Sequence, residues 1–551
     1  MDFKKEIEKL LKKHVDEVSM EIPKNNFGDY AFPCFNEAKR LKKNPNEIAK
    51  ELSKKLKADF IEKVEVVGPY INFFVKKDVL VDEVVDKILK EKENYGKSKL
   101  GTEKVMVEFS QPNTHKAFHV GHIKGTAMGE SLARILESIG NKVLRANYQG
   151  DTGMHVAKWL WCYTKYHSKE TLRDDEEWIA NIYVDSVRRL EENEELQEEV
   201  DEINRKLDSK EDKKLNELWK KTRQLSLDSF EKIYKELNTR FDNYLFESQV
   251  EERGKALAKE LLNKKIAEIS DGATIVNLKD QNLGVWVLLR KDGTALYSTK
   301  DLALAEEKFN KHKIDKAVYV VGKAQELHIY QLFKTLELMK FKQAKNCRYV
   351  PVCEVRFPWG KMSSRTGNNV LYSSFKRELV EYARQEILKR DKISEDELKK
   401  RSLAIAIACM KYSMLKQDPN KVTIFEKEKA MNFEGDTGPY LLYSYARASS
   451  ILRKTKGSKA KITSTISEKE KELIKKLDEL PARVKEAAEN LDSSVIANYT
   501  YKLAQTFNEF YHNCQVIGSE EESFRLRLVE AFRATLKNSL NLLGINVIEE
   551  M

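Results

Sequence analysis

A chain of 551 residues is several times longer than one hydrophobic core requires, which excludes a small stapled scaffold and implies two to four domains. Lysine and arginine outnumber aspartate and glutamate by 98 to 88, a net charge of +10 that suits a polyanionic partner but serves solubility equally well. Six scattered cysteines with no CxxC pair predict reduced thiols, a cytoplasmic setting and no structural metal, and the longest apolar run, Leu403 to Met410, is too short to span a membrane.

The opening residues place Phe3, Ile7, Leu10, Leu11, Val15 and Val18 on one helical stripe, with charges interrupting any signal-peptide core, so a secreted chain is not expected. A loop, EIPKNNFGDYAFP, leads to helical NEIAKELSKKL and then to alternating VEVVGPYINFFV, a compact α/β unit that ends in the charged stretch KEKENYGKSKLGTEK. Next, KVMVEFS reads as a strand, the residues from Ile123 to Ile139 as a helix stopping at Gly140-Asn141, and NKVLRANY as a second strand. That order predicts a right-handed βαβ unit of a parallel sheet, with ligands at the carboxyl ends of the strands. A charged helical insertion follows over about 160–250. Strands return at TIVNL, VWVLLRKDGTALYS, KAVYVVG and RYVPVCEV, and from about residue 376 the pattern is almost wholly helical.

The most informative stretch is FHVGHIKG, where the first strand gives way to the helix. His115, His119 and His122 are spaced by four and three, which on a continuous helix would suit zinc, but Pro112 and Gly121 argue against such a helix. Capping and packing histidines are a second reading. The third is a nucleotide site, because a helix start after a strand aims free N–H groups and a positive dipole end at phosphates. His119 and His122 would add donors, and Gly121 would let an adenine ring approach the backbone. Downstream, GKMSSRTGN is a polar, glycine-flanked loop with Lys361 and Arg365.

Taken together, HVGH and GKMSSRTGN resemble the HIGH and KMSKS signatures of class I aminoacyl-tRNA synthetases. The segments EFSQPNTHKAFHVGH, NYQGDTG, YSTKD, QELH, DTGPYLLYSYARASSILRK and FNEFYHNCQV resemble, in the same order, the arginyl-tRNA synthetases of an archaeal or eukaryote-like type. The resemblance implies an α/β multidomain fold: an N-terminal α/β tRNA-elbow domain (1–98), a Rossmann-like catalytic domain (99–375) and an all-α anticodon-binding bundle (376–551). It implies ligation of L-arginine to tRNA(Arg) through an arginyl-adenylate made from ATP, with Mg2+ on the phosphates and transfer to the terminal 2′-hydroxyl. A monomer without membrane attachment is expected.

In this resemblance Glu108, Tyr297 and Asp301 surround the guanidinium, while Asn113 and Gln325 hold the α-amino end. A planar cation of fixed charge favours such carboxylates, and burying Glu108 unpaired in its apolar strand would be costly. ATP would meet Lys116, His119, Gly121, His122, Lys361, Ser363 and Ser364. Ser364 stands where the signature has its second lysine, and Lys116 is the expected compensating cation. For tRNA, Tyr70 and Asn72 share one side of a strand, Tyr443 and Arg447 lie four apart on a helix before a basic run, and Tyr511 and Met551 resemble parts of the anticodon pocket. The alternatives are a class I synthetase of other specificity and a non-catalytic tRNA-binding relative.

Overall fold

The computed structural model describes residues 3–551 except 22, 24–26, 77–78, 80, 359, 362–369, 391 and 456–465, and the backbone only of 360–361. The chain divides into two compact units, Met1–Tyr95 with Ser450–Glu479 and Gln505–Thr535, and Gly96–Ser449 with Leu480–Ala504 and Leu536–Met551.

In the first unit the helix Phe3–Leu11 buries Phe3, Ile7 and Leu11, the stripe expected from their spacing. Asn44 caps the helix Pro45–Ser53 by accepting the Asn46 N–H at 2.9 Å, with proline in the first turn where no hydrogen bond is lost. Three antiparallel strands, β1 (Tyr30–Pro33), β2 (Ile61–Val67) and β3 (Tyr70–Val75), form a sheet in the order β1-β3-β2. Ile71, Phe73 and Val75 alternate into the core. Asp29 of the GDYA segment accepts the Val75 N–H at 2.7 Å and pairs with Lys471 and Lys475 of the helix Glu468–Asp478.

The second unit is built on a five-stranded parallel sheet of β4 (Lys104–Glu108), β5 (Lys142–Gln149), β6 (Asn243–Phe246), β10 (Lys316–Gly322) and β11 (Cys347–Val352), ordered β11-β10-β4-β5-β6. Val105 to Glu108 are all buried, as befits a strand covered on both faces. The helix Val120–Ser138 joins β4 to β5. From β4 the sheet grows one way through β5 and β6 and the other way through β10 and β11, so the crevice for a ligand opens at the carboxyl ends of β4 and β10.

Between β6 and β10 an antiparallel meander, β7 (Glu268–Ser270), β8 (Ala273–Leu278) and β9 (Gly284–Leu289), packs on the helix Tyr297–His312. The charged segment after β5 forms the helices Glu176–Glu192, Gln197–Ser209 and Lys213–Glu236. Its sparse apolar stripe, Leu196, Val200, Ile203 and Leu207, closes on Trp159, Trp161 and Trp178. Among the described residues beyond 376, the all-helical pattern is broken by a strand. Thr423–Ile424 forms a short strand, β14, parallel to β12 (Val355–Phe357), whose other neighbour is β13 (Gly360–Lys361). Two residues carry no periodicity, so the sequence held no signal for it. Among the described residues, no helix is long and apolar enough to cross a membrane.

Candidate active site

The two histidines of HVGH cap their own helix. His119 Nδ1 accepts the Gly121 N–H at 3.1 Å, and His122 Nδ1 accepts the His119 N–H at 3.2 Å, a reciprocal box built from imidazoles. The rings stack with centroids 3.9 Å apart. Because each Nδ1 accepts, each ring carries its proton on Nε2, and both Nε2–H groups are left as donors without a protein partner among the described residues. Burial, then the nearby Lys116 charge, holds His119 down to about 4; burial, His119 and Lys116 hold His122 well below its usual range. The pair is therefore neutral near pH 7. Gly121 has a reason besides adenine: a Cβ there would lie 2.9 Å from His119 Cε1, so the cap itself requires glycine.

His115 does not join them. It is fully buried, with Nδ1 3.0 Å from the Thr114 hydroxyl and Nε2 2.8 Å from that of Thr222, and burial lowers it to about 3. Both nitrogens are occupied, so the three-imidazole zinc reading fails and His115 is a packing residue. Ser110, Gln111 and His115 all have positive φ, a strained path that the Gln111 N–H to Asn147 and the Thr114 N–H to Gly150 bonds hold in place.

The chain at Val370 to Tyr372, beyond the GKMSSRTGN segment, lies against HVGH. The Val120 N–H donates to Val370 O at 3.1 Å, the Tyr372 N–H to Phe118 O at 2.9 Å, and His119 bridges Leu371. Lys361 has its backbone paired with Arg356, while Ser363 and Ser364 lie outside the described residues. Lys116 rests 5.0 Å from the Tyr183 ring of the insertion, and burial, then Lys158, holds it below the usual lysine range. Neither Lys116 nor Lys158 has a carboxylate partner among the described residues, and Lys158, on the helix Met154–Cys162, was missed by the sequence reading.

The acids expected to receive arginine share a neighbour that the sequence did not single out, Tyr148 of β5. Its hydroxyl is pushed well above the usual range by burial and by the carboxylates of Asp301, Glu247, Glu108 and Asp151. Glu108 and Asp301 thus share one neighbourhood. Glu108 corrects the expectation that either water or the ligand would satisfy it. It is 4 % exposed and forms an ion pair with Lys308, itself 1 % exposed, and its other oxygen accepts the Gln111 amide at 3.1 Å. Lys308 also lies 4.0 Å from the Tyr319 ring centroid.

Asp301 accepts from His328 Nε2 at 2.6 Å, and Tyr297, 61 % exposed, has its ring 4.6 Å from that of His328. Asn113 sits over Gly150, where a Cβ would lie 2.4 Å from its Oδ1 and 3.2 Å from Glu247 Oε1. Glu247 pairs with Lys300 at 2.9 Å, and Asp151 with Arg223 at 2.8 Å. Gln325 is exposed just past the carboxyl end of β10. One further cluster, Cys162, His167 and Asp185, has its donor atoms within 4.8 Å of one another, but Arg188 and Arg189 already hold Asp185, so it forms an ion-pair network.

Of the candidate tRNA residues, Tyr70 is half-exposed, with the Phe35 ring edge-on at 5.7 Å. Asn72 is corrected. It is 2 % exposed, because the backbone at Gly28 crosses it so closely that a Cβ there would lie 3.2 Å from Asn72 Cβ. Tyr443 and Arg447 stack on the helix Gly438–Arg453, with Arg447 Nη2 donating to the tyrosine hydroxyl at 3.1 Å. The basic run beyond extends outside the described residues. Tyr511 is partly exposed and Met551 half-buried.

Three family models match the chain: the arginyl tRNA synthetase N terminal domain over residues 1–75, the catalytic domain of class I (R) tRNA synthetases over 84–426 and the DALR anticodon binding domain over 441–551. The arginine–tRNA ligase of Clostridium perfringens is 38% identical over 569 residues and that of Clostridium acetobutylicum 37% over 565, each match covering 100% of both chains. The Thermus thermophilus arginyl-tRNA synthetase superposes with a TM-score of 0.82 at 27% identity over 100% of both chains. The archaeal or eukaryote-like type finds no support, since these relatives are bacterial.

Proposed function

We infer the chemistry of this chain from the premise that it belongs to the class I arginyl-tRNA synthetases, by matches spanning its whole length. It is an enzyme that ligates arginine to tRNA at the expense of ATP. We propose that the reaction proceeds through arginyl-adenylate, the arginine carboxylate attacking the α-phosphate and pyrophosphate leaving, followed by transfer to the 2′-hydroxyl of the terminal adenosine. Alignment and charge stabilisation supply the rate in such chemistry. The fixed Nε2–H donors of His119 and His122 are suited to the phosphates, since a neutral donor of set tautomer needs no reorganisation as negative charge develops. Lys116 supplies the nearby cation, with Lys361, Ser363 and Ser364 contributed by the loop.

Asp301 and Tyr297 receive the guanidinium, with Glu108 behind Lys308, and Asn113 and Gln325 hold the α-amino group. Mg2+ would enter with ATP and neutralise phosphate charge. The groups around His119 and His122 are imidazole and ammonium rather than carboxylate, so they fit an ion held by the phosphates and not by the protein. Tyr70, Tyr443, Arg447, Tyr511 and Met551 contact tRNA, and the domains run 1–98, 99–375 and 376–551 in a cytoplasmic monomer.

The observation that carries the arginine reading is the grouping of four carboxylates about Tyr148 of β5, three of them paired with the chain's own cations. Aminoacylation with a panel of amino acids, and pyrophosphate exchange with and without tRNA, test it. Incorporation of arginine alone is expected; equal use of lysine or of an uncharged amino acid would overturn it.

A further inference from the structure

The four carboxylates around Tyr148 are not equivalent. Glu108 is paired with Lys308, Glu247 with Lys300 and Asp151 with Arg223. Asp301 has no lysine or arginine partner among the described residues; its contact is the imidazole of His328. Three of the acids are therefore balanced by the chain's own cations, and the attraction for a substrate cation concentrates on the fourth.

His328 is itself constrained from behind. The indole N–H of Trp286 lies 3.1 Å from His328 Nδ1. An indole N–H can only donate, so Nδ1 must accept and the ring proton must sit on Nε2, which faces Asp301 Oδ2 at 2.6 Å. A second proton on the ring would set two donors against each other at Nδ1. The lock is rigidly mounted. Trp286, 3 % exposed, belongs to β9 opposite Val276, and Gln331, one turn beyond His328 on the helix Glu326–Leu338, donates its amide to Leu283 O at 2.7 Å. The ring of Tyr297 packs on the same imidazole at 4.6 Å.

We propose that His328, held by Trp286 in the tautomer protonated on Nε2, is a positioning residue that ties one oxygen of Asp301 and presents the other to the guanidinium of arginine. The proposal rests on the reading above that Asp301 receives the guanidinium. With Oδ2 engaged by the Nε2–H, the carboxylate loses its freedom to rotate. A fork of N–H donors then meets a fixed acceptor.

The test is steady-state aminoacylation of tRNA(Arg) by the full chain, with KM measured separately for arginine and ATP. His328→Leu is expected to raise KM for arginine about ten- to hundredfold, the scale of one hydrogen bond to a charged group, with KM for ATP and kcat within about twofold. His328→Gln, whose amide nitrogen can stand in for Nε2, is expected to recover most of that loss, and Trp286→Phe to fall between. If His328→Leu does not fold, the order His328→Gln below Trp286→Phe in KM for arginine carries the decision.

An unchanged KM for arginine in His328→Leu, a Gln variant no better than the Leu variant, or equal losses in kcat and in both KM values would overturn the proposal. Asp301→Asn separates the two levels. If it leaves KM for arginine unchanged, the assignment of Asp301 itself is wrong; if it raises KM sharply while His328→Leu does not, only the role of His328 is wrong.

Discussion

Replacing Lys308 by methionine isolates the buried pair it forms with Glu108, behind the proposed arginine pocket. Methionine keeps the volume of the stem but removes the ammonium, leaving Glu108 in a site where it is 4 % exposed and its remaining partner is the Gln111 amide. Breaking a buried ion pair from one side costs about 3–5 kcal/mol, whereas replacing both members is often close to neutral. Lys308→Met is therefore expected to lose about 3–5 kcal/mol in denaturant unfolding, and Lys308→Met with Glu108→Gln to regain most of it. Ligand binding adds a second readout, because a ligand stabilises in proportion to its affinity for the folded state. If Glu108 opens on the arginine pocket, arginine should raise the melting temperature of Lys308→Met more than that of the unaltered chain, its guanidinium replacing the lost ammonium. A loss below about 1 kcal/mol would refute the closed pair, since that is the scale of an exposed one. Equal arginine shifts in both proteins would place Glu108 outside the pocket.

Gly121→Ala should drive a Cβ into the His119 ring and displace a phosphate donor, lowering pyrophosphate exchange about a hundredfold, the scale of one lost oxyanion donor, with little change in melting temperature. Lys116→Ala should reduce adenylate formation, measured in single turnover, more than Lys361→Ala; the reverse order would move the compensating charge to the loop. His115 gives a pH signature. Burial lowers it to about 3, so the folded chain refuses a proton that the unfolded chain takes near 6.5. Its contribution is present above pH 6.5 and lost as pH falls toward 3, so between pH 7.5 and 5.5 the unaltered chain should lose about 1.4 kcal/mol more than His115→Gln in urea unfolding.

What the sequence disclosed follows from range. Local periodicity announced β4, the helix beginning at Val120 and β5, because each carries its apolar pattern within a few residues. The two histidines of HVGH could be placed at a helix start from their spacing, yet their reciprocal bonds depend on ring orientation, which spacing does not encode. Glu108 stood out as an acid in an apolar strand, but its partner is 200 residues further along the chain. Glu247, Tyr148 and His328 were unremarkable where they stood and acquire meaning only when β5, β6 and the helix Glu326–Leu338 meet. Asn72 shows the opposite error. Period-two alternation correctly put it on the face of Tyr70, but could not reveal that the chain at Gly28 covers that face.

The arrangement around Tyr148 also shows how the proposed site for a cation would carry several acids without destabilising the fold. Four unpaired carboxylates in one half-buried neighbourhood would repel one another, and each would bear its own desolvation cost. Supplying Lys308, Lys300 and Arg223 to three of them offsets the repulsion and part of that cost before any substrate arrives. A fourth internal cation at Asp301 would compete directly with the guanidinium. A neutral imidazole does not, and its fixed N–H fills one lone-pair site while leaving the charge to be used. In the proposed pocket the chain's own cations pair three of the acids and leave Asp301 for the substrate, held on one oxygen by the His328 tautomer that Trp286 imposes.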